Sequence, residues 1–349
     1  MTPLLLLALS AAPLQVRVLE REKPTKARLE APTLTCDGKP LAKKVEVVPG
    51  NRELSVGGAK CTEVVASGGA TVALKDVTRR FPGVLKVSLE GGVLRLLNEV
   101  DVEDYLPSVV TAELGDGKPA ALEVQAVVSR TFALTAHRHG KAGHGLCDLS
   151  HCQVYRGADA SDAAKAAVKK TKGQVVLVGG VALKPTFFHA SCGGYTSRAQ
   201  DVFGDEGAGP GVSDVEGGAP RCAGMPDFAW EFVIEKVKLA EGLGLKNEGH
   251  AFEALRRDAA GRVVELRSFG RRFSGADFQS AVGRAFGWQS LRSMKVSLQE
   301  AEGLLRFSGT GLGHGVGLCQ QGAKALAEKG VDAKGILQRY FPDSQVRVP

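Results

Sequence analysis

Short apolar runs separated by turn signals make up residues 14–94 of this chain. Two of them, Val84 to Leu89 and Val93 to Leu97, are joined by Gly91-Gly92, a pair typical of a tight hairpin turn. Runs of this length with turn residues between them predict strands, so we expect a β-rich N-terminal region.

Helical patterns begin after residue 100. Residues 102–114 predict a first helix, which tolerates Pro107 in its opening turns and ends at Gly115-Asp116-Gly117. A second helix is predicted from Pro119 to about His137. It is apolar almost all round, which is typical of a buried helix.

Helices and strands alternate in the remainder of the chain. The pattern predicts a helix at 161–170 and strands at 175–178 and 181–188. Residues 227–307 mix both patterns and predict an inserted subdomain within a mixed domain that spans 95–342. The sequence as a whole therefore predicts an α+β fold.

Composition narrows the function classes. The 349 residues are 44% hydrophobic and 24% charged, which is typical of a globular protein. The formal net charge is +7, but its Lys and Arg residues are dispersed, so we predict a solvated surface rather than a nucleic-acid interface. The net positive charge still mildly favours an anionic polymer, such as a bacterial wall, as a partner. No run of residues is long and apolar enough for a transmembrane span.

The N-terminus resembles a short signal peptide, residues 1–13. Leu4 to Leu7 are apolar and small residues follow, although no Lys or Arg precedes them. We therefore predict export to the periplasm, the cell wall or the medium. A start codon placed too far downstream and a buried strand are the alternatives.

Seven cysteines are more than an exported protein keeps without use. Cys36 and Cys61 are candidates for one disulfide, and Cys192 and Cys222 for another, with Cys319 left over. Sequence alone does not determine the connectivity.

A glycine-rich stretch, Gly311 to Ala323, is the most distinctive local pattern. Its glycines allow close approach of the backbone to a ligand, and His314 and Gln320 lie among them. A helix is predicted to follow from Ala323 to Lys329. A functional loop is therefore favoured over a purely structural one.

Glu113 is the strongest candidate for acid chemistry. It lies at the predicted C-terminal end of the first helix, where the helix dipole and apolar neighbours both raise the pKa of a carboxyl group. A general acid needs such a shift, whereas a solvated helix-end residue is the alternative. Nearby in sequence, Gln125 and Ser129 share one face of the second helix, and Arg130 is a further polar residue on it.

Cys147 and Cys152, with His144 and His151, have the chemistry of a zinc site. A local disulfide and two buried free thiols are the alternatives. Further along the chain, His189 and Ser191 alternate onto one face of an extended segment, which fits a polar cleft wall better than a nucleophile pair.

Five segments in this order resemble one family, the stage II sporulation protein D family (SpoIID/LytB domain) of exported proteins that act on peptidoglycan. They are Tyr105 to Glu113, Leu122 to Leu134, Cys152 to Gly157, Phe188 to Thr196 and Gly313 to Ala323.

The resemblance implies a lytic transglycosylase that cleaves between N-acetylmuramic acid and N-acetylglucosamine in peptide-stripped glycan strands. Glu113 would act as acid and then as base, and the muramic acid C6 hydroxyl would attack in place of water, so one carboxyl group suffices where a hydrolase usually needs two. The resemblance also implies an amidase as a partner that strips the peptides, and a structural zinc at Cys147 and Cys152 with His144 or His151. The residues that it places along the sugar cleft are Gln125, Arg130, Gln153, Tyr155, His189, Ser191, Gly193, Gly194, His314 and Gln320.

The sequence departs from the family pattern in two places. The family usually has Met-Pro and then Trp-Pro after the glutamate, whereas Leu114 to Pro119 contain no aromatic residue. Cys319 and Gln321 replace the usual serine and tyrosine. The missing aromatic residue favours, as an alternative function, a non-catalytic wall-binding or amidase-enhancing module. A cysteine or zinc hydrolase built on Cys192 and His189, or on Cys147 and Cys152, is a third, weaker hypothesis.

Overall fold

The computed structural model describes residues 12–136, 139–140, 143–204, 207–226 and 228–348. Helices and strands are both abundant, which confirms the predicted α+β class. The predicted signal peptide, residues 1–13, lies outside the described residues except for its last two.

The chain divides into two compact units, one reaching to Val175 and including the residues from Arg347 onward, the other Val176–Val346. The domain boundaries expected from the sequence, at 94/95 and around 227–307, stay a prediction.

The first unit contains two β-sheets. Their strands are β1 (Leu14–Val18), β2 (Ala27–Glu30), β3 (Thr33–Cys36), β4 (Lys39–Pro40), β5 (Lys44–Pro49), β6 (Leu54–Val56), β7 (Ala59–Cys61), β8 (Glu63–Ser67), β9 (Ala70–Ala73), β10 (Thr78–Phe81), β11 (Val84–Glu90), β12 (Val93–Val100) and β13 (Leu146–Cys147). The strand order is β13-β1-β12-β11-β8-β3-β4 in one sheet and β10-β9-β2-β5-β6-β7 in the other.

The predicted hairpin is β11 and β12, paired antiparallel from Val84 opposite Glu99 to Glu90 opposite Val93. Gly91 and Gly92 both have positive φ, 59° and 81°, as the tight turn between twisted strands requires. Alternate residues of both strands are buried, so the hairpin contributes one apolar face to the core.

A disulfide joins Cys36 at the end of β3 to Cys61 at the end of β7, with their Cα atoms 5.6 Å apart. This bond confirms one of the two predicted pairs. Because β3 and β7 belong to different sheets, it cross-links the two sheets of the first unit.

Three helices follow the sheets in the first unit: α1 (Val102–Leu114), α2 (Pro119–Thr135) and α3 (Asp162–Lys170). The Asp101 carboxylate caps α1 by accepting the Glu103 N–H at 2.8 Å. Residues 121–133 of α2 are all buried, so its prediction as a core helix is confirmed.

The second unit is built from short strands and helices. Its strands are β14 (Val175–Val178), β15 (Ala182–Leu183), β16 (Phe188–His189), β17 (Val215–Glu216), β18 (Ala219–Pro220), β19 (Ala229–Glu235), β20 (Glu253–Arg257), β21 (Val263–Ser268), β22 (Arg271–Ser274), β23 (Val296–Ala301), β24 (Leu304–Thr310), β25 (Leu318–Cys319) and β26 (Ser344–Arg347). Its helices are α4 (Ala199–Phe203), α5 (Lys236–Gly242), α6 (Gly275–Phe286), α7 (Gln320–Glu328) and α8 (Ala333–Tyr340).

Two sequence predictions are corrected in this unit. The single strand expected at 181–188 is two short pieces, β15 and β16, which pair with different partners. Helix α7 begins three residues earlier than expected, because the Cys319 sulfur accepts the Gly322 N–H at 3.4 Å and caps the helix. Apolar residues between Trp230 and Phe307 form a hydrophobic core, in which Leu239, Leu266, Phe278 and Leu305 are fully buried.

Candidate functional site

Glu113 lies in the last turn of α1, which Gly115 ends with a φ of 66°. Its carboxylate Oε1 accepts the main-chain N–H of Val154 at 2.6 Å. The same helix is tied to the following segment by Ser108, whose Oγ accepts the Arg156 N–H at 2.9 Å. Two hydrogen bonds therefore fix residues 154–156 against the helix that carries the carboxyl group.

Burial raises the pKa of Glu113 to about 7, and the Val154 N–H opposes that shift by stabilising the ionised form. A carboxyl group of this kind exchanges its proton near neutral pH, which suits a group that first donates and then accepts a proton.

A buried hydrogen-bond network lies within the same unit. The Tyr105 hydroxyl donates to Gln153 Oε1 at 3.2 Å, and Gln153 Nε2 donates to the Ser129 carbonyl at 3.3 Å. Gln125 Nε2 donates to Ser129 Oγ at 2.9 Å, and the Tyr155 hydroxyl donates to Asn98 Oδ1, also at 2.9 Å. These side chains are inaccessible to solvent, so they support α1, α2 and residues 153–155 from within.

Arg130 is also buried, with only 1% of its surface exposed. Its guanidinium donates two hydrogen bonds of 2.8 Å to the two carboxylate oxygens of Glu103 and a third to the Gln174 carbonyl. This geometry indicates that Arg130 joins α1 to α2. Sugar contacts by Gln125, Arg130, Gln153 and Tyr155 stay predictions, and in this structure all four contribute to the framework around Glu113.

The predicted metal ligands of the first unit are partly brought together. His139, Cys147, His151 and Cys152 place their ligand atoms within 4.8 Å of one another. His151 Nδ1 is 3.6 Å from the Cys152 sulfur and 4.0 Å from the Cys147 sulfur. Both cysteines are free thiols, so a disulfide between them is not formed.

His139 takes the place in this group that the sequence suggested for His144. The His144 ring instead stacks on His139, with ring centroids 4.7 Å apart. His139 was missed because it precedes Cys147 by eight residues, a spacing that matches no common zinc motif; its only sequence signal is the local density of histidines.

Two thiols and two imidazoles fit the tetrahedral coordination of zinc. Hydrogen bonds from Cys152, and further ones from His151 and His139, lower the pKa of Cys147 to about 3, so a thiolate is available as a ligand.

The second unit brings the remaining predicted residues together. Strand β16 pairs in parallel with β25, and Ser191 forms a bridge with Leu312. The rings of His189 and His314 are 5.6 Å apart. Gly313 allows this approach, because a Cβ at that position would lie 3.0 Å from the His189 Cβ. The glycine-rich stretch is thus packed against the His189 segment.

His189 is an uncharged side chain in this arrangement. Burial, and then the nearby His314 and Arg262, hold the pKa of His189 well below its usual value. Its Nδ1 lies 3.1 Å from the Val316 carbonyl, and His314 Nδ1 accepts the Val316 N–H at 3.0 Å. Gly193 and Gly194 follow with positive φ, and Gln320 begins α7. Their predicted contacts with sugar stay untested.

The second predicted disulfide is wrong. Cys192 and Cys222 are free, and their sulfur atoms are 3.7 Å apart. Asp214 and Cys319 approach the same two sulfurs, so the four side chains form one buried group.

None of the helices among the described residues has both the length and the apolar character needed to cross a membrane.

Comparisons with known proteins show a similarity to one family. Residues 90–177 match the family model described as "SpoIID: Stage II sporulation protein". That range contains Glu113, its Val154 contact, the network around Gln153, and the Cys147 group.

Three relatives extend the similarity beyond this segment. A protein of uncharacterised function from Brachyspira hyodysenteriae (strain ATCC 49526 / WA1) is 27% identical over 70% of this chain and 66% of its own length. "Stage II sporulation protein D" of Bacillus amyloliquefaciens is 26% identical over 70% of this chain and 74% of its own. "Amidase enhancer" of Bacillus subtilis (strain 168) is 25% identical over 64% of this chain, but the alignment spans only 37% of that longer protein.

The resemblance predicted from the sequence is thereby confirmed: residues 90–177 match the SpoIID family model, and relatives named stage II sporulation protein D align with about 70% of the chain.

Proposed function

We propose that the protein is an exported lytic transglycosylase that cleaves the bond between N-acetylmuramic acid and N-acetylglucosamine in glycan strands. The observation that carries this proposal is the carboxyl group of Glu113, which accepts the Val154 N–H and whose pKa is raised by burial to about 7. It lies inside the segment that matches the SpoIID family.

The proposed reaction needs one carboxyl group. Protonated Glu113 donates its proton to the glycosidic oxygen as the bond from that oxygen to the muramic acid C1 breaks. The C6 hydroxyl of the same muramic acid then attacks C1, and its proton passes to the Glu113 carboxylate. A 1,6-anhydro end forms, water is not consumed, and the carboxyl group is restored.

The Val154 N–H assists the second half of this cycle. It stabilises the ionised carboxylate, which must exist between the two proton transfers, while burial stabilises the protonated form needed at the start. A pKa near 7 is the balance of these two effects.

We place a structural zinc at His139, Cys147, His151 and Cys152. When bound, the ion would supply a rigid tetrahedral anchor whose four positions are filled by protein ligands. Cys152 precedes Val154 by two residues, so the same ligands would hold the main-chain donor of Glu113 in place.

Export and an amidase partner belong to the same proposal. The Cys36–Cys61 disulfide fits an oxidising compartment, and one relative is named an amidase enhancer. Glycan strands from which an amidase has removed the peptides are the proposed substrate.

The decisive experiment incubates the purified protein with peptide-free glycan strands and identifies the new ends by mass spectrometry. We expect 1,6-anhydromuramic acid ends from the wild type and none from Glu113→Gln. Asp116→Asn is the matched control, because it neutralises an exposed carboxylate three residues away and should leave cleavage intact. Undiminished release of anhydro ends by Glu113→Gln would refute the assignment.

A non-catalytic role in wall binding is the second candidate. The absence of an aromatic residue from Leu114 to Pro119 favours it, since sugars commonly pack on aromatic rings, and so does the similarity to the amidase enhancer. Retention of the wild type on glycan strands without any cleavage product, together with stimulation of an added amidase, would select this function.

A further inference from the structure

The second unit buries a group of metal-ligand side chains that the proposed reaction does not use. Cys192, Asp214, Cys222 and Cys319 are each at most 1% exposed, and their ligand atoms lie within 4.8 Å of one another. They come from three separate stretches of the chain. Three sulfur atoms and a carboxylate oxygen are ligand types that structural zinc sites use.

Two distances in this group match tetrahedral coordination. Ligands about 2.3 Å (sulfur) and about 2.0 Å (oxygen) from a zinc ion lie roughly 3.8 Å apart for a sulfur pair and roughly 3.5 Å for sulfur and oxygen. The Cys192 and Cys222 sulfurs are 3.7 Å apart, and the Cys192 sulfur is 3.4 Å from Asp214 Oδ2. A disulfide would require sulfurs about 2.05 Å apart.

Main-chain amides point at the sulfur atoms. Cys319 Sγ accepts the N–H groups of Cys192 at 3.3 Å and Gly322 at 3.4 Å, and Cys192 Sγ accepts the Gly194 N–H at 3.3 Å. Donors aimed at a sulfur stabilise its thiolate, which is the form that binds metal.

The carboxylate is oriented by neighbours of its own. Asp214 Oδ2 accepts the Tyr340 hydroxyl at 2.9 Å, and Oδ1 accepts Arg221 Nη1 at 3.3 Å. Such supporting hydrogen bonds are typical of carboxylates that ligate metals. Gly322 makes room for them, because a Cβ there would collide with the Tyr340 hydroxyl and the Asp214 carboxylate.

We propose that Cys192, Asp214, Cys222 and Cys319 form a second, structural metal site for a thiolate-preferring divalent cation, with zinc as the ion. Four protein ligands fill a tetrahedral shell, so the site is closed rather than catalytic. Binding releases the thiol protons to solvent. Through Cys192 and Cys319, the ion would join the turn after His189 to the start of α7, next to the glycine-rich stretch.

The test counts zinc by native mass spectrometry and elemental analysis, with zinc as the probe, in wild type, Cys319→Ser and Cys147→Ser. Cys319→Ser should contain one zinc ion fewer than the wild type. Cys147→Ser, the matched control in the first unit, should keep the ion of the second unit. The readout is the difference in zinc content between each variant and the wild type. It therefore does not depend on glycan cleavage or on whether the group around Cys147 holds zinc.

A second measurement covers the case in which Cys319→Ser does not fold. In Cys147→Ser, iodoacetamide should alkylate Cys192, Cys222 and Cys319 at least tenfold faster after a zinc chelator is added. Burial alone would give slow alkylation that the chelator does not change. Alkylation rates unaffected by chelator, unchanged zinc content in a folded Cys319→Ser, or a Cys192–Cys222 disulfide in non-reducing peptide maps would each overturn the proposal.

Discussion

At the scale of single residues, the titration of Glu113 makes folding stability depend on pH. Its pKa is about 7 in the folded protein, against an ordinary value of 4.5 for an exposed glutamate. The folded state therefore holds this proton over a window in which the unfolded chain has lost it. The contribution of the group to the free energy of unfolding falls as pH rises from about 4.5 to about 7, by about 3 kcal/mol in all.

We predict that Glu113→Gln becomes more stable relative to the wild type as pH increases. The amide removes the titration but can still accept the Val154 N–H. The difference in the free energy of unfolding between variant and wild type should grow by about 2 kcal/mol from pH 5 to pH 8. Urea unfolding at both pH values measures it, and a difference that stays constant would contradict the raised pKa.

The control is Asp116→Asn, which neutralises an exposed carboxylate three residues from Glu113 and should not reproduce the effect of Glu113→Gln. The rate of glycan cleavage should also depend on the protonation of Glu113. Since the reaction begins with protonated Glu113, we expect kcat/KM to decline as pH rises, with a midpoint near pH 7.

Arg130 offers a second prediction at this scale. Its buried guanidinium is paired with both oxygens of Glu103, whose side chain is 21% exposed. Arg130→Met should lower the free energy of unfolding by about 3 kcal/mol, since it leaves a largely buried carboxylate without its partner. Arg156→Met, at an exposed position, should change it little.

A Glu103→Gln change in the Arg130→Met background should recover part of the loss. Were Arg130 instead a contact for sugar, the variant would keep its stability and raise KM, so chemical unfolding and steady-state kinetics separate the two roles.

At the scale of elements, the proposed zinc holds the strand and turn that lead from Cys147 to Val154. We predict that a chelator, or Cys147→Ser, accelerates amide hydrogen exchange in residues 147–156 by at least tenfold. The hydrogen bond from the Val154 N–H lowers the pKa of Glu113. Loosening this segment weakens that hydrogen bond and should therefore raise the pKa of Glu113. The midpoint of the activity profile should therefore move to higher pH.

The internal control is the hairpin of β11 and β12, whose exchange should not change. If residues 147–156 were equally protected from amide hydrogen exchange with and without chelator, the proposed zinc site would be contradicted.

Elements with local signals were predictable, and those fixed by distant contacts were not. Two glycine positions could be recognised from the sequence, because each needs a positive φ. They are the turn between β11 and β12 and the end of α1. The start of α7 was missed because cysteine is an uncommon cap. The stretch 181–188 reads as one strand, yet its halves pair with β14 and β25, and nothing local indicates that division.

The site shows the same contrast. A raised pKa was predicted for Glu113 from its position at a helix end among apolar neighbours, and burial raises that pKa to about 7. Arg130, Gln125 and Gln153 are buried in the structure by tertiary contacts that the sequence did not indicate, and their contacts with sugar stay predictions. His139 and the group around Cys192 depend on chain segments that meet only after folding, so spacing along the sequence did not reveal them.

At the scale of the whole molecule, the Cys36–Cys61 disulfide joins two sheets across 25 residues. By loop-closure entropy it stabilises the folded chain by about 3.5 kcal/mol. The double variant Cys36→Ser/Cys61→Ser should lose that amount in urea unfolding. Reduction by a thiol reagent should lower wild-type stability similarly and leave the double variant unaffected, which separates this bond from any effect on the other cysteines.

The hydrogen bond to Glu113 comes from the peptide backbone of residue 154, which has a consequence for mutational scanning. Replacing Val154 by alanine keeps the amide hydrogen and should leave catalysis near normal, so an alanine scan would score the position as dispensable. Proline alone among the standard residues deletes that hydrogen. A position tolerant of every substitution but proline would identify a main-chain contributor that side-chain surveys overlook.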